Sequence, residues 1–133
     1  YVFKAHSENG KPKKVFAICG GQLMANTLEV LQELESEFDI KLVAVTSPEL
    51  FEELKINNST KADSIFNDSE REHTITIHNG WPGFLYPFML PANYDKKAIG
   101  ISRFLKSGTP AEVYTFAGLD SKGLKEKIIN ALS

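Results

Sequence analysis

Cysteine is all but missing from this 133-residue chain, with Cys19 standing alone. One thiol makes no internal disulfide and no zinc site by itself, and such usage reads as a reduced, cytoplasmic protein. An excess of charge of one sign is missing too. Fifteen Lys and Arg against 17 Asp and Glu leave a net charge of -2 without a basic stripe. Nucleic acid is therefore not an expected partner, because phosphate binding draws on clustered positive charge. No window approaches 18 consecutive apolar residues, which excludes a transmembrane helix and, with it, an expected membrane partner. There is no signal-peptide pattern, no internal repeat and no initiator methionine, so a cut end at Tyr1 stays open.

What is present suits one folded domain. The chain is 42% hydrophobic and 24% charged, which supplies enough apolar surface to offset chain entropy and excludes dominant disorder. Tyr1 to Ala5 has strand composition, and Ser7 to Lys14 is polar and punctuated by Gly10 and Pro12, as in a linker. Residues 1–13 are accordingly expected to be the end of a preceding domain and its linker, with an edge strand of this domain as the alternative. Residues 14–133 form the domain itself.

Within it, short apolar runs alternate with helical spacing. Val15 to Cys19 is a continuous run ending in Gly20-Gly21, the signature of a strand buried on both faces. Met24, Leu28, Leu31, Leu34 and Phe38 recur on one face of a helix expected over Gln22 to Phe38. Leu42 to Thr46 reads as the next buried strand. Ser47-Pro48-Glu49 then opens a helix: a capping hydroxyl, a proline at the first position and an acid at the positive end. Lys55 to Glu72 is polar, with a loop at Asn57-Asn58-Ser59 and one helical turn near Ala62 to Phe66. His73 to His78 alternates as a strand with Ile75 and Ile77 on one face. Pro82 to Leu90 predicts an aromatic helix shortened by Pro87, Lys97 to Ser102 another strand, and Thr109 to Glu112 a capping box. Lys122 to Leu132 closes the chain as a helix burying Leu124, Ile128, Ile129 and Leu132. Strands alternating with helices predict an α/β domain, its sheet largely parallel and covered on both faces.

Ligands of such sheets bind at the carboxyl ends of the strands, which here gathers Gly20, Gly21, Thr46, Ser47, His78, Ser102 and Arg103. Gly20-Gly21 could present helix amides to a phosphate, but it is neither a dinucleotide fingerprint nor a P-loop, and a tight turn, which needs only the steric freedom of glycine, is the simpler reading. His78 has no carboxylate or nucleophile near it in sequence, so a hydrogen-bonded structural or interface histidine stands beside the catalytic reading. Cys19, in a strand, is expected to be buried and inert. Arg103 could grip an anion or pair with a neighbouring domain. The run Ser69 to Glu72 reads as a solvated face. Trp81, Phe84, Tyr86 and Phe88 offer either core or an intersubunit contact. No catalytic, cofactor-binding or metal-binding set emerges, and possible anion or interface contacts reduce to Gly20, Gly21, Ser47, His78, Trp81 and Arg103.

Taken in order, Val15 to Phe38, Val45-Thr46-Ser47-Pro48-Glu49-Leu50-Phe51 and Thr76-Ile77-His78-Asn79-Gly80-Trp81-Pro82 are similar to one family. Ile99 to Phe104, Ser107 to Tyr114 and Phe116 to Asp120 continue the pattern. Over residues 14 to 132 the chain resembles the C-terminal domain of the transketolase superfamily of thiamine-diphosphate enzymes. Ser102 stands where the family often has an acid, and Leu105 where it often has a glycine. Glu33 to Ile40 looks closest to the homodimeric decarboxylating component of pyruvate dehydrogenase, and Ser107 to Glu112 to transketolases proper.

The resemblance implies a three-layer α/β/α sandwich on a mixed, mostly parallel five-stranded sheet with one antiparallel edge. It implies that the preceding domains of a parent transferase or oxidoreductase hold thiamine diphosphate and magnesium. This domain would bind no cofactor, pack against those domains and help build a homodimer. Two alternatives accompany it: a recognition module in which Trp81 and Arg103 dock the acyltransferase core of a dehydrogenase complex, and a small-anion sensor at Gly20, Ser47 and Arg103.

Overall fold

The computed structural model describes residues 1–78, 82–100 and 119–132, the side chains of 82–84 excepted. Its strands are β1 (Val2–Lys4), β2 (Lys13–Cys19), β3 (Asp39–Ala44), β4 (Thr74–His78) and β5 (Ala98–Ile99). They form one five-stranded sheet in the order β1-β3-β2-β4-β5. Pairing is parallel from β3 through β5, and only β1 runs antiparallel, against β3. Residues Val2–Lys4 thus supply the antiparallel edge of this sheet.

The α-helices are α1 (Gly21–Leu34), α2 (Pro48–Asn57), α3 (Ser59–Ile65), α4 (Tyr94–Lys97) and α5 (Ser121–Leu132). Alternation along the strands sorts them into two outer layers. Phe16, Ile18, Ile40, Leu42, Ile75 and Ile77 face α1 and α5 through Leu23, Leu31, Leu124 and Ile128. Val15, Ala17 and Val43 face the other way, toward Phe66, Leu85 and Phe88. The three-layer α/β/α arrangement follows from the two-residue period of a strand covered on both sides. Each fully buried Leu, Ile or Phe contributes roughly 1.5–3 kcal/mol, so this double coverage is the main stabilising feature.

Several local expectations shift. Helix α1 ends at Leu34, and Leu28 is 41% exposed; the buried stripe keeps Met24, Leu31 and Leu34 and takes in Leu23, Thr27 and Val30. In α5 Ile129 is 48% exposed and Ala131 takes the inward position. Both differences arise because a helix lying on a sheet buries a stripe set by its crossing direction, which spacing alone leaves free. Asn57-Asn58-Ser59 is not a loop: α2 continues to Asn57, and Asn58 caps α3, its Oδ1 accepting from Lys61 N at 3.2 Å. β4 is buried on both faces, its threonine hydroxyls donating to Glu70 O at 2.6 Å and toward Met89 Sδ at 3.4 Å.

The aromatic segment is a 3₁₀ helix, Pro82–Phe88. Pro87 lacks an N–H and blocks an α-helical ladder through it. Phe88 joins the core, 5.3 Å from Phe51 and 5.1 Å from Phe66 between ring centres, while Tyr86 stacks on Tyr94 at 3.9 Å. Phe88 is therefore core rather than an intersubunit contact. Ser102 and the Thr109 to Glu112 capping box lie outside the described residues. No described helix is long and apolar enough to cross a membrane.

Candidate functional site

The chain leaves β2 toward the α1 layer and leaves β4 toward the opposite layer, where Phe88 packs. The carboxyl ends of these neighbouring strands therefore flank the point where strand order reverses, the usual ligand crevice of such sheets. Cys19 and His78 sit side by side there, as register partners.

Each flanking residue has a local reason for its position. Gly20 precedes α1 with φ 127°, a backbone conformation that side chains other than hydrogen rarely allow. Gly21 begins the helix in open space. Ser47 precedes α2, and its Oγ accepts from Leu50 N at 3.3 Å, forming the cap that the sequence predicts. His78 is half-buried. Trp81 and Arg103 lie outside the described residues.

The fold joins some of these and separates others. Gly20, Gly21 and Thr46 share a cleft of about 410 Å³ with Phe3, Met24 and Leu28. Ser47 lines a smaller neighbouring cavity of about 160 Å³, under Tyr1, Leu50 and Phe51. His78 lines neither. The larger cleft is predominantly apolar, with Thr46 and the start of α1 as its polar features. Such a surface can seat an apolar group more readily than polarise a reacting bond.

Cys19 is half-buried rather than fully buried, and burial pushes its thiol pKa up. A raised pKa leaves little thiolate at neutral pH. Among the described residues no three His, Cys, Asp or Glu side chains converge as a metal centre requires.

One buried polar cluster was not singled out by sequence patterns. Asp39, at the start of β3, is fully buried. Its carboxylate accepts from Ser7 N at 2.8 Å and Glu8 N at 3.0 Å, with His6 Nδ1 at 3.4 Å. Burial opposes its charge, but those amides and the imidazole outweigh burial and hold its pKa below the ordinary carboxylate value. The available signal was an acid three residues before the apolar run that begins at Leu42, facing a polar segment some 30 residues earlier; spacing does not pair them.

No family model matches the chain, and no curated protein is similar to it at a significant level. A solved structure shares its fold: the high-resolution crystal structure of transketolase from Campylobacter jejuni subsp. jejuni NCTC 11168, with a TM-score of 0.66 and 23% sequence identity. The match covers 97% of this chain and 18% of the transketolase chain. The chain thus spans under a fifth of that protein's length, and the likeness is one of fold.

Proposed function

We propose that this chain is the C-terminal structural and dimerisation domain of a thiamine-diphosphate-dependent enzyme, cytoplasmic and of transketolase type, and that it carries no turnover of its own. The observation that carries this reading is the fold match, nearly all of this chain against 18% of a transketolase chain. The composition of the carboxyl edge supports it: a thiol held protonated and a mainly apolar cleft. On this reading thiamine diphosphate and magnesium are held elsewhere in the parent, whose substrate is a sugar phosphate or, in the oxidoreductase version, a 2-oxoacid. The docking alternative leans on Trp81 and Arg103, both outside the described residues, and the anion alternative on Gly20, Ser47 and Arg103, of which Gly20 and Ser47 line different cavities.

Calorimetric titration of the chain with thiamine diphosphate and magnesium tests this reading. The expected result is no saturable heat. Saturable binding at micromolar affinity, or turnover of a keto acid or sugar phosphate by the chain alone, overturns it.

A further inference from the structure

Before β2 begins, the first dozen residues cross the outer edge of the sheet, and apolar burial holds them weakly. β1 is three residues long, its register on β3 is irregular, and the Tyr1 and Phe3 side chains are 65% and 44% exposed. Polar attachment lies at both ends: Tyr1 N donates to Ala44 O at 2.9 Å and Tyr1 O accepts from Ala44 N at 2.8 Å, and the other end is held at Asp39. Both of its carboxylate oxygens are occupied, Oδ1 by Ser7 N–H at 2.8 Å and Oδ2 by Glu8 N–H at 3.0 Å. His6 Nδ1 lies 3.4 Å from Oδ1 and 3.1 Å from the Asp39 carbonyl oxygen.

The surrounding charges close on the same point. Lys4 Nζ donates to Ile40 O at 3.0 Å and faces Glu35 at 3.5 Å. Lys13, opposite Asp39 in the β2 register, pairs with Glu8 at 3.0 Å. The return turn places Glu8 at φ 58° and Gly10 at φ 80°. A non-glycine residue keeps that left-handed conformation only where its surroundings hold it, and what holds Glu8 is its amide on the buried carboxylate.

We propose that residues 1–8 form a strap latched by Asp39, whose release bares the outer edge of β3 and removes the Tyr1 and Phe3 wall of the carboxyl-edge cleft while the remaining sheet stays folded. Tyr1 and Phe3 line that cleft with Gly20 and Thr46, so the latch at one end of β3 governs access at the other. The strap carries few buried contacts of its own, as segments that open locally do.

Hydrogen exchange of the protein, normalised to intrinsic amide rates, tests it. In Asp39→Asn, which removes a charged acceptor, amides of residues 2–8 are expected to exchange roughly tenfold to a hundredfold faster, while β2 and β4 keep their protection. Unchanged protection of residues 2–8, or loss of it only together with β2 and β4, overturns the proposal. Should the variant fail to fold, the wild-type protein taken below pH 4 decides the matter. Strap amides opening before the β2 and β4 amides support the latch, and joint or absent opening overturns it.

Discussion

Lys41 of β3 and Glu70, in the 3₁₀ turn Asp68–His73, form a two-pronged ion pair, the ammonium nitrogen 3.0 and 2.9 Å from the carboxylate oxygens. Lys41 is buried and Glu70 nearly so. The run Ser69 to Glu72 reads in sequence as a solvated face; Ser69 and Glu72 are exposed, and this pair corrects the reading for Glu70. A reciprocal capping box causes the inward turn: Asn67 Oδ1 accepts from Glu70 N, and Glu70 Oε1 accepts from Asn67 N, each at 3.1 Å. Arg71 turns inward as well, donating to Met89 O at 2.9 Å.

Lys41→Met is expected to destabilise the protein by about 1–3 kcal/mol in urea denaturation, because it leaves Glu70 short of its cation. Combining it with Glu70→Gln should recover part of that loss. A double-mutant cycle with coupling under about 0.5 kcal/mol would show the pair to be energetically idle.

The Asp39 carboxyl has a lower pKa folded than unfolded. Its contribution is therefore complete above the unfolded value of about 4 and is lost as pH falls through the folded value. Denaturation midpoints measured from pH 7 downward should fall more steeply below pH 4 in wild type than in Asp39→Asn. Parallel curves would remove Asp39 from the acid response.

Phe88 is 2% exposed and touches both Phe51 and Phe66, whereas Ile129 is 48% exposed. Phe88→Ala should cost about 3–5 kcal/mol by leaving a cavity, and Ile129→Ala should stay within about 0.5 kcal/mol. Thermal melts of the two variants separate a core aromatic from a surface isoleucine, and comparable losses would contradict the packing.

Adjacent glycines should respond oppositely to alanine. At Gly20, with φ 127°, Gly20→Ala is expected to cost about 1–3 kcal/mol through backbone strain. Gly21 opens α1 with nothing near an added Cβ, so Gly21→Ala should be neutral or stabilise by up to about 1 kcal/mol. Equal effects in denaturant titrations would mean that the turn needs no glycine.

Patterns short in sequence were the ones a reader of the chain could recover. Val15 to Ile18 declares a doubly buried strand because four apolar residues in succession leave neither face for water. Ser47-Pro48-Glu49 declares a helix start because capping involves atoms only three residues apart. From such signals the α/β class, the carboxyl edge and the place of Gly20, Gly21 and Ser47 on it were legible. Leu28 and Ile129 were misplaced because helical spacing describes a stripe without saying where the sheet lies.

The amino-acid sequence by itself determined the alternation of strands and helices, the helix starts and the two-sided coverage of β2, since these depend on contacts within one turn or one pleat. Only the tertiary structure decided that Val2–Lys4 joins the sheet, that Glu70 meets Lys41 and that Asp39 anchors Ser7 and Glu8. Those pairings span some 30 to 40 residues, and chain geometry leaves such distant partners free until the sheet brings them together.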